Sequence, residues 1–128
     1  MDKLNFIVIA QDAPENNEGN LSLINVFNII TTTELPVVQQ KMVVAANFSV
    51  KELRAKHTCA VEIRKSGTKK LLSEVVYPEV FSLDEVAKEI QITSFFSNIQ
   101  FDETGEYFTS LLLDGVEIGK RYFHVAKI

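Results

Sequence analysis

The chain has 128 residues, 46% of them hydrophobic and 23% charged. That length fits one globular domain, and that composition excludes intrinsic disorder, because enough apolar surface is present to offset the entropy of ordering. With 13 basic and 17 acidic side chains the net charge is −4, which argues against a general nucleic-acid binder, whose basic face must displace phosphate counterions.

Mean hydropathy is +0.07, slightly apolar for a soluble chain, yet no stretch approaches the ~20 apolar residues of a membrane-spanning helix. The N-terminal apolar run lacks the basic flank of a signal peptide. The single cysteine, Cys59, excludes an intrachain disulfide. Two glycosylation sequons, at Asn20 and Asn47, therefore read as chance matches. The expectation is a cytoplasmic protein with no membrane partner.

Strand signals dominate in chain order. Residues 3–11 form an apolar, β-branched run centred on Phe6-Ile7-Val8-Ile9, too short for a typical helix. A polar turn punctuated by Pro14 and Gly19 follows. Residues 21–33 read as one extended segment, ending in the strand-favouring run Thr31-Thr32-Thr33. After Pro36, residues 42–50 form a weakly alternating strand. Ser49 with Glu52, and Ser82 with Glu85, have capping-box spacing and predict two short helices in connections. Between them, Cys59, Val61 and Ile63 share one face of a strand over 58–65, with Thr58, Glu62 and Arg64 on the other. Lys65-Ser66-Gly67-Thr68 turns the chain into a strand over 70–77, which Pro78 should end. Further on, Ile90 and Ile92 lie on one parity and Phe95, Ile99 and Phe101 on the other, which predicts a β-bulge near Ser94-Phe95. Thr104-Gly105 and Asp114-Gly115 bracket a strand over 106–113, and a last strand fills 116–128.

Seven or eight strands without strand–helix–strand alternation specify an all-β fold with minor helix: a single antiparallel β-sandwich over 1–128, with a closed barrel as the alternative. Gly105-Glu106-Tyr107 resembles the Gly-x-Tyr entry of immunoglobulin-like sandwiches, where the Tyr hydroxyl bonds back to the preceding corner. With no Trp and one Cys, such a sandwich is not an antibody-type domain. The segment Leu21-Ser22-Leu23 leading to Val26-Phe27, with the later Gly105-x-Tyr107 and Leu113-Asp114-Gly115, resembles an uncharacterised family of short bacterial and phage-associated β-sandwich proteins of unknown function. That resemblance implies a sandwich and a non-catalytic role, and supplies no site residue.

Motifs for chemistry are few. His57, Cys59 and His124 fall short of the four ligands of a structural zinc site. No Gly-x-Ser-x-Gly elbow or Gly-rich phosphate loop occurs, and Cys59 lies on an inward alternation where a thiol is desolvated and inert. The acidic pairs, such as Asp102-Glu103, and the basic tip Arg64, Lys65, Lys69 and Lys70 read as solvated turns. No catalytic residue, metal or cofactor is expected.

What remains is apolarity on the second face of several strands. Phe95 and Phe96 are adjacent, Leu111-Leu112-Leu113 runs unbroken, and Ile7 and Ile9 oppose Phe6 and Val8. Either small helices or another chain must cover such a face. The expected function is a non-catalytic sandwich acting through protein–protein contact, as a homo-oligomer or an accessory subunit. Its candidate interface residues are Ile7, Ile9, Phe95, Phe96 and Leu112. The alternative is a small-ligand module with an apolar pocket between the sheets, lined by Phe27, Phe48 or Phe96.

Overall fold

The computed structural model describes residues 2–15, 18, 20–50, 56–80 and 89–128. Nine strands and no helix occur among them: β1 (Lys3–Asp12), β2 (Ile24–Val26), β3 (Ile29–Thr32), β4 (Val37–Ser49), β5 (His57–Lys65), β6 (Leu71–Val80), β7 (Glu89–Phe101), β8 (Gly105–Leu113) and β9 (Val116–Lys127). The two expected short helices fall on 51–55 and 81–88, outside the described residues. The strands form two sheets rather than a closed barrel, one in the order β2-β1-β4-β7 and the other in the order β3-β9-β8-β5-β6. With β1, β4 and β7 standing as A, B and E, and β5, β8 and β9 as C, F and G, this is the immunoglobulin arrangement of two facing sheets.

The inner faces carry the core. Phe48, Phe101, Phe123, Met42, Ile63 and Leu111 are among its fully buried side chains. Phe101 meets Tyr107 edge-on at 4.9 Å and Phe123 at 5.8 Å, and Tyr107 stacks on Phe123 at 5.7 Å, offset and edge geometries that suit the ring quadrupole. The expected corner is formed: the Tyr107 hydroxyl donates to the Glu103 carbonyl at 2.7 Å. Two residues on, where antibody domains place their second inter-sheet cysteine, stands Thr109, fully buried with Oγ1 unpartnered.

The hairpins follow their turn chemistry. Asp114 and Gly115 have φ of 53° and 81°, the two left-handed central residues of a type I′ turn. Gly67 sits at φ 85° in the β5–β6 turn with open space around a notional Cβ, so backbone conformation alone selects glycine there.

Four expectations need correction. The 21–33 segment is two strands in different sheets: β2 pairs antiparallel with β1, and β3 pairs parallel with β9. The switch is pinned by the Phe27 amide on the Ile9 carbonyl and the His124 amide on the Asn28 carbonyl. Pro78 does not end its strand. β6 is an edge paired only with β5, and a proline without N–H is tolerated where one side of the ladder is open. No bulge occurs at Ser94-Phe95, since the β4–β7 register runs unshifted from Val37↔Phe101 to Ser49↔Glu89. Ser94 takes a buried inward position by hydrogen-bonding the Tyr77 hydroxyl at 2.8 Å. The inward phase slips later, beside Asn98, whose φ is 54°. Finally, Ile7 and Ile9 are on the inner face and Phe6 on the outer one, so the apolar phase assigned to β1 as a surface was the core itself.

β4 alternates weakly because both its faces are covered: every residue from 42 to 48 is buried. Ala10, Val43 and Ala45 lie on the outer parity and are fully buried. Residues 13–15 and 20–22 run beside that face and share a groove of about 320 Å³ with Gln91, Thr93 and Phe95. Part of the cover is therefore the chain's own connection.

Candidate functional site

Asp114, His57 and Cys59 are built into the architecture. Aspartate at the β8–β9 turn locks β5 from above: His57 Nδ1 and Asp114 Oδ2 are 2.8 Å apart, and Asp114 Oδ1 accepts the Thr58 amide at 2.9 Å. These bonds hold the Asp114 carboxyl below the usual range, with His57 the larger cause. Cys59 is buried, and desolvation pushes its thiol up to about 11, so it stays protonated and unreactive. His124 sits on the opposite, outer face beside Glu106, apart from His57 and Cys59. Among the described residues no three His, Cys, Asp or Glu side chains are placed to share a metal ion.

On the outer face of the second sheet, charge is largely internally matched. Arg64 binds Glu62 through two hydrogen bonds of 3.0 and 3.1 Å and donates to the Lys69 carbonyl. The Lys120 ammonium lies over the rings of Phe108 and Tyr122 at 4.9 and 5.3 Å. Leu112 is half-buried in a groove beside these groups.

The five residues expected at an interface thus separate. Ile7, Ile9 and Phe96 are core and cannot present a surface, because strand period two turns them inward. Phe95 is 52% exposed on the outer face of the first sheet and Leu112 lies on the outer face of the second, so no common surface joins them. Of the three residues expected to line an inter-sheet pocket, Phe48 and Phe96 are packed in the core, while Phe27 lines a surface groove.

That groove belongs to a notch which the sequence reading missed. The β1–β4 ladder ends at Ala10↔Val43, but β4 continues along β7 to Val37↔Phe101. Among the described residues, 37–40 therefore have a strand neighbour on one side only. β3, paired among the described residues with β9 alone, lines the far side together with Gln39. Two adjoining grooves of about 550 and 260 Å³ share Gln11 and Gln39 here; Ile24 and Val38 line one, Phe27 and Ile29 the other. Ile24, Ile29 and Val38 are 46%, 51% and 47% exposed. The polar lining is amide-rich: Asn25 donates to Gln11 at 2.7 Å, and Gln39 Nε2 donates to the Lys41 carbonyl at 3.1 Å. Its charged members, Asp12 and Lys41, neutralise each other at 2.7 Å, which holds the Asp12 carboxyl below its ordinary value. The sequence signal was Val37-Val38 directly after Pro36, which a strand started at Met42 leaves out.

Residues 5–126 match the model of a family of unknown function, DUF6941. The chain belongs to that family. The expectation of an uncharacterised family is thereby met, and membership carries no activity with it. No curated protein matches the chain. Among solved structures, it is similar to the Pseudomonas fluorescens alkylpurine DNA glycosylase AlkC bound to DNA containing an abasic site analog, with a TM-score of 0.57 and 10% identity. The alignment covers 98% of this chain and 30% of the glycosylase, so this chain spans under a third of that enzyme's length. The likeness is one of fold. An immunoglobulin-like protein from Pseudomonas aeruginosa aligns over 98% of this chain and 96% of its own, with 13% identity and a TM-score of 0.44. No helix among the described residues of this family member is long and apolar enough to cross a membrane.

Proposed function

We propose that this domain is a non-catalytic protein-contact module whose contact surface is the β2–β4 notch. The observation that carries the reading is the exposure of Ile24, Ile29 and Val38 around grooves beside a stretch of β4 with one strand neighbour. Apolar side chains grouped beside an open ladder are the usual composition of a partner surface. Supporting the non-catalytic half, Cys59 is desolvated and His57 is tied to a structural turn. A partner protein fits better than DNA: the chain carries a net charge of −4, and Lys41, the cation among the described residues lining the notch, is paired with Asp12. A role as an accessory subunit fits this surface, and a homo-oligomer would use the same notch.

The test is a photo-crosslinking residue in place of Val38 in cells, with the same residue in place of the exposed Glu117 as reference. The expected result is a discrete protein adduct at 38 that is absent at 117. Equal crosslinking at both positions, or none at 38, overturns the proposal.

A further inference from the structure

The same notch specifies the form and chemistry of its occupant, an inference that rests on the contact function above. In a β-ladder each strand satisfies its backbone N–H and C=O groups against both neighbours, and a stretch with one neighbour leaves a row of groups facing outward. Residues 37–40 are such a stretch, with Val37, Val38 and Gln39 paired to Phe101, Gln100 and Ile99 of β7. Where the β1 ladder stops, the Lys41 carbonyl is satisfied by the side chain of Gln39 folding back onto it, a side-chain substitute for a strand that is not there. Across the gap the outer edge of β3 is also without a strand neighbour among the described residues. The open stretch of β4 offers about 13 Å of ladder along its four residues, the length of a short extended segment.

Charge decides the occupant's composition. Asp12 and Lys41 are already paired, and the remaining lining, Gln11, Asn25, Gln39, Ile24, Phe27 and Ile29, is neutral. A charged side chain brought here would lose hydration with no free counter-charge to replace it. Exposed apolar side chains on the banks offer seats for alternate residues of a strand.

We propose that residues 37–40 of β4 accept an extended, uncharged segment of a partner protein as an added strand. Its backbone pairs with β4, and its alternate apolar side chains rest on Ile24, Ile29 and Val38.

The experiment selects random displayed peptides of about 12 residues on the full chain, then maps the best binder by amide hydrogen exchange. The expected binders are uncharged with apolar residues at alternate positions. At saturation they slow exchange within 37–40 by about tenfold or more. Val38→Glu should weaken such a peptide about tenfold and confer binding of the same peptide carrying a central lysine. Ile24→Glu, on the separate edge strand β2, repeats the test should the first variant fold poorly. Binders with net charge, or protection confined to the surfaces of Phe95 or Leu112, overturn strand addition while leaving a contact function in place. A chain that enriches no peptide and self-associates through 37–40 replaces the partner segment with a second copy and overturns the proposal. Enrichment of nothing, together with no adduct at position 38, removes both this inference and the function it rests on.

Discussion

Thr109 offers a substitution whose effect runs against the usual direction. Its side chain is fully buried in β8, opposite Ile63 of β5, and its Oγ1 has no hydrogen-bond partner. A buried hydroxyl stripped of water without a replacement bond costs about 1–3 kcal/mol. Thr109→Val keeps the β-branched shape that suits a central strand and removes the unsatisfied oxygen. Its added methyl is slightly larger than the hydroxyl, so part of the gain is offset by tighter packing. A net stabilisation of about 1 kcal/mol is expected, roughly a fivefold rise in the folding equilibrium constant. At about 2.1 cal/mol/K per residue, unfolding a chain of this length moves Tm by roughly 4 °C for each kcal/mol. The assay is urea unfolding followed by far-UV circular dichroism, with calorimetry for Tm. The midpoint should rise at unchanged m, since the surface exposed on unfolding is the same. Thr109→Ser keeps the hydroxyl and deletes the methyl, and should lower stability by about 1 kcal/mol. A Val variant that is equal to or less stable than the parent refutes the reasoning, because the buried hydroxyl then costs no more than the packing of the added methyl.

Two further predictions concern the turns. Tyr107→Phe removes the 2.7 Å corner bond to Glu103 while leaving the ring stack in place, and should cost about 1 kcal/mol, read as a lower urea midpoint. Asp114 has its carboxyl held low by His57 and the Thr58 amide. A depressed carboxylate adds stability above its unfolded pKa and loses it as pH falls through its folded value. Asp114→Asn should therefore be less stable near neutrality and should lose less of its stability than the parent between about pH 5 and pH 2, measured by unfolding midpoints across that range.

Local signals were sufficient for most strands. Type I′ chemistry at Asp114-Gly115, the Gly105-x-Tyr107 corner and the alternation of Cys59, Val61 and Ile63 each depend on a few neighbouring residues, and each appears in the structure as read. The site was far less legible. Its residues come from β1, β2, β3 and β4, and no periodicity within one segment reports that two ladders end at different places. The notch exists because β1 leaves β4 at Val43 while β7 follows β4 to Val37.

What the sequence determined by itself was the class: an all-β chain whose turn residues and period-two patterning point to an antiparallel sandwich or a closed barrel, a choice the two open sheets decide. It also located an apolar excess on second strand faces. Tertiary structure alone decided what that excess means. Ile7, Ile9 and Phe96 became core because the sheets face each other on that side. Val43 and Ala45 vanished from the surface on the opposite side, where residues 13–15 and 20–22 run. Ser94 turned inward because Tyr77, from the other sheet, supplied its hydrogen bond. Val38 stays exposed where the two ladders end unequally, since burial and ladder pairing are properties of neighbours in space, which one strand's sequence does not name.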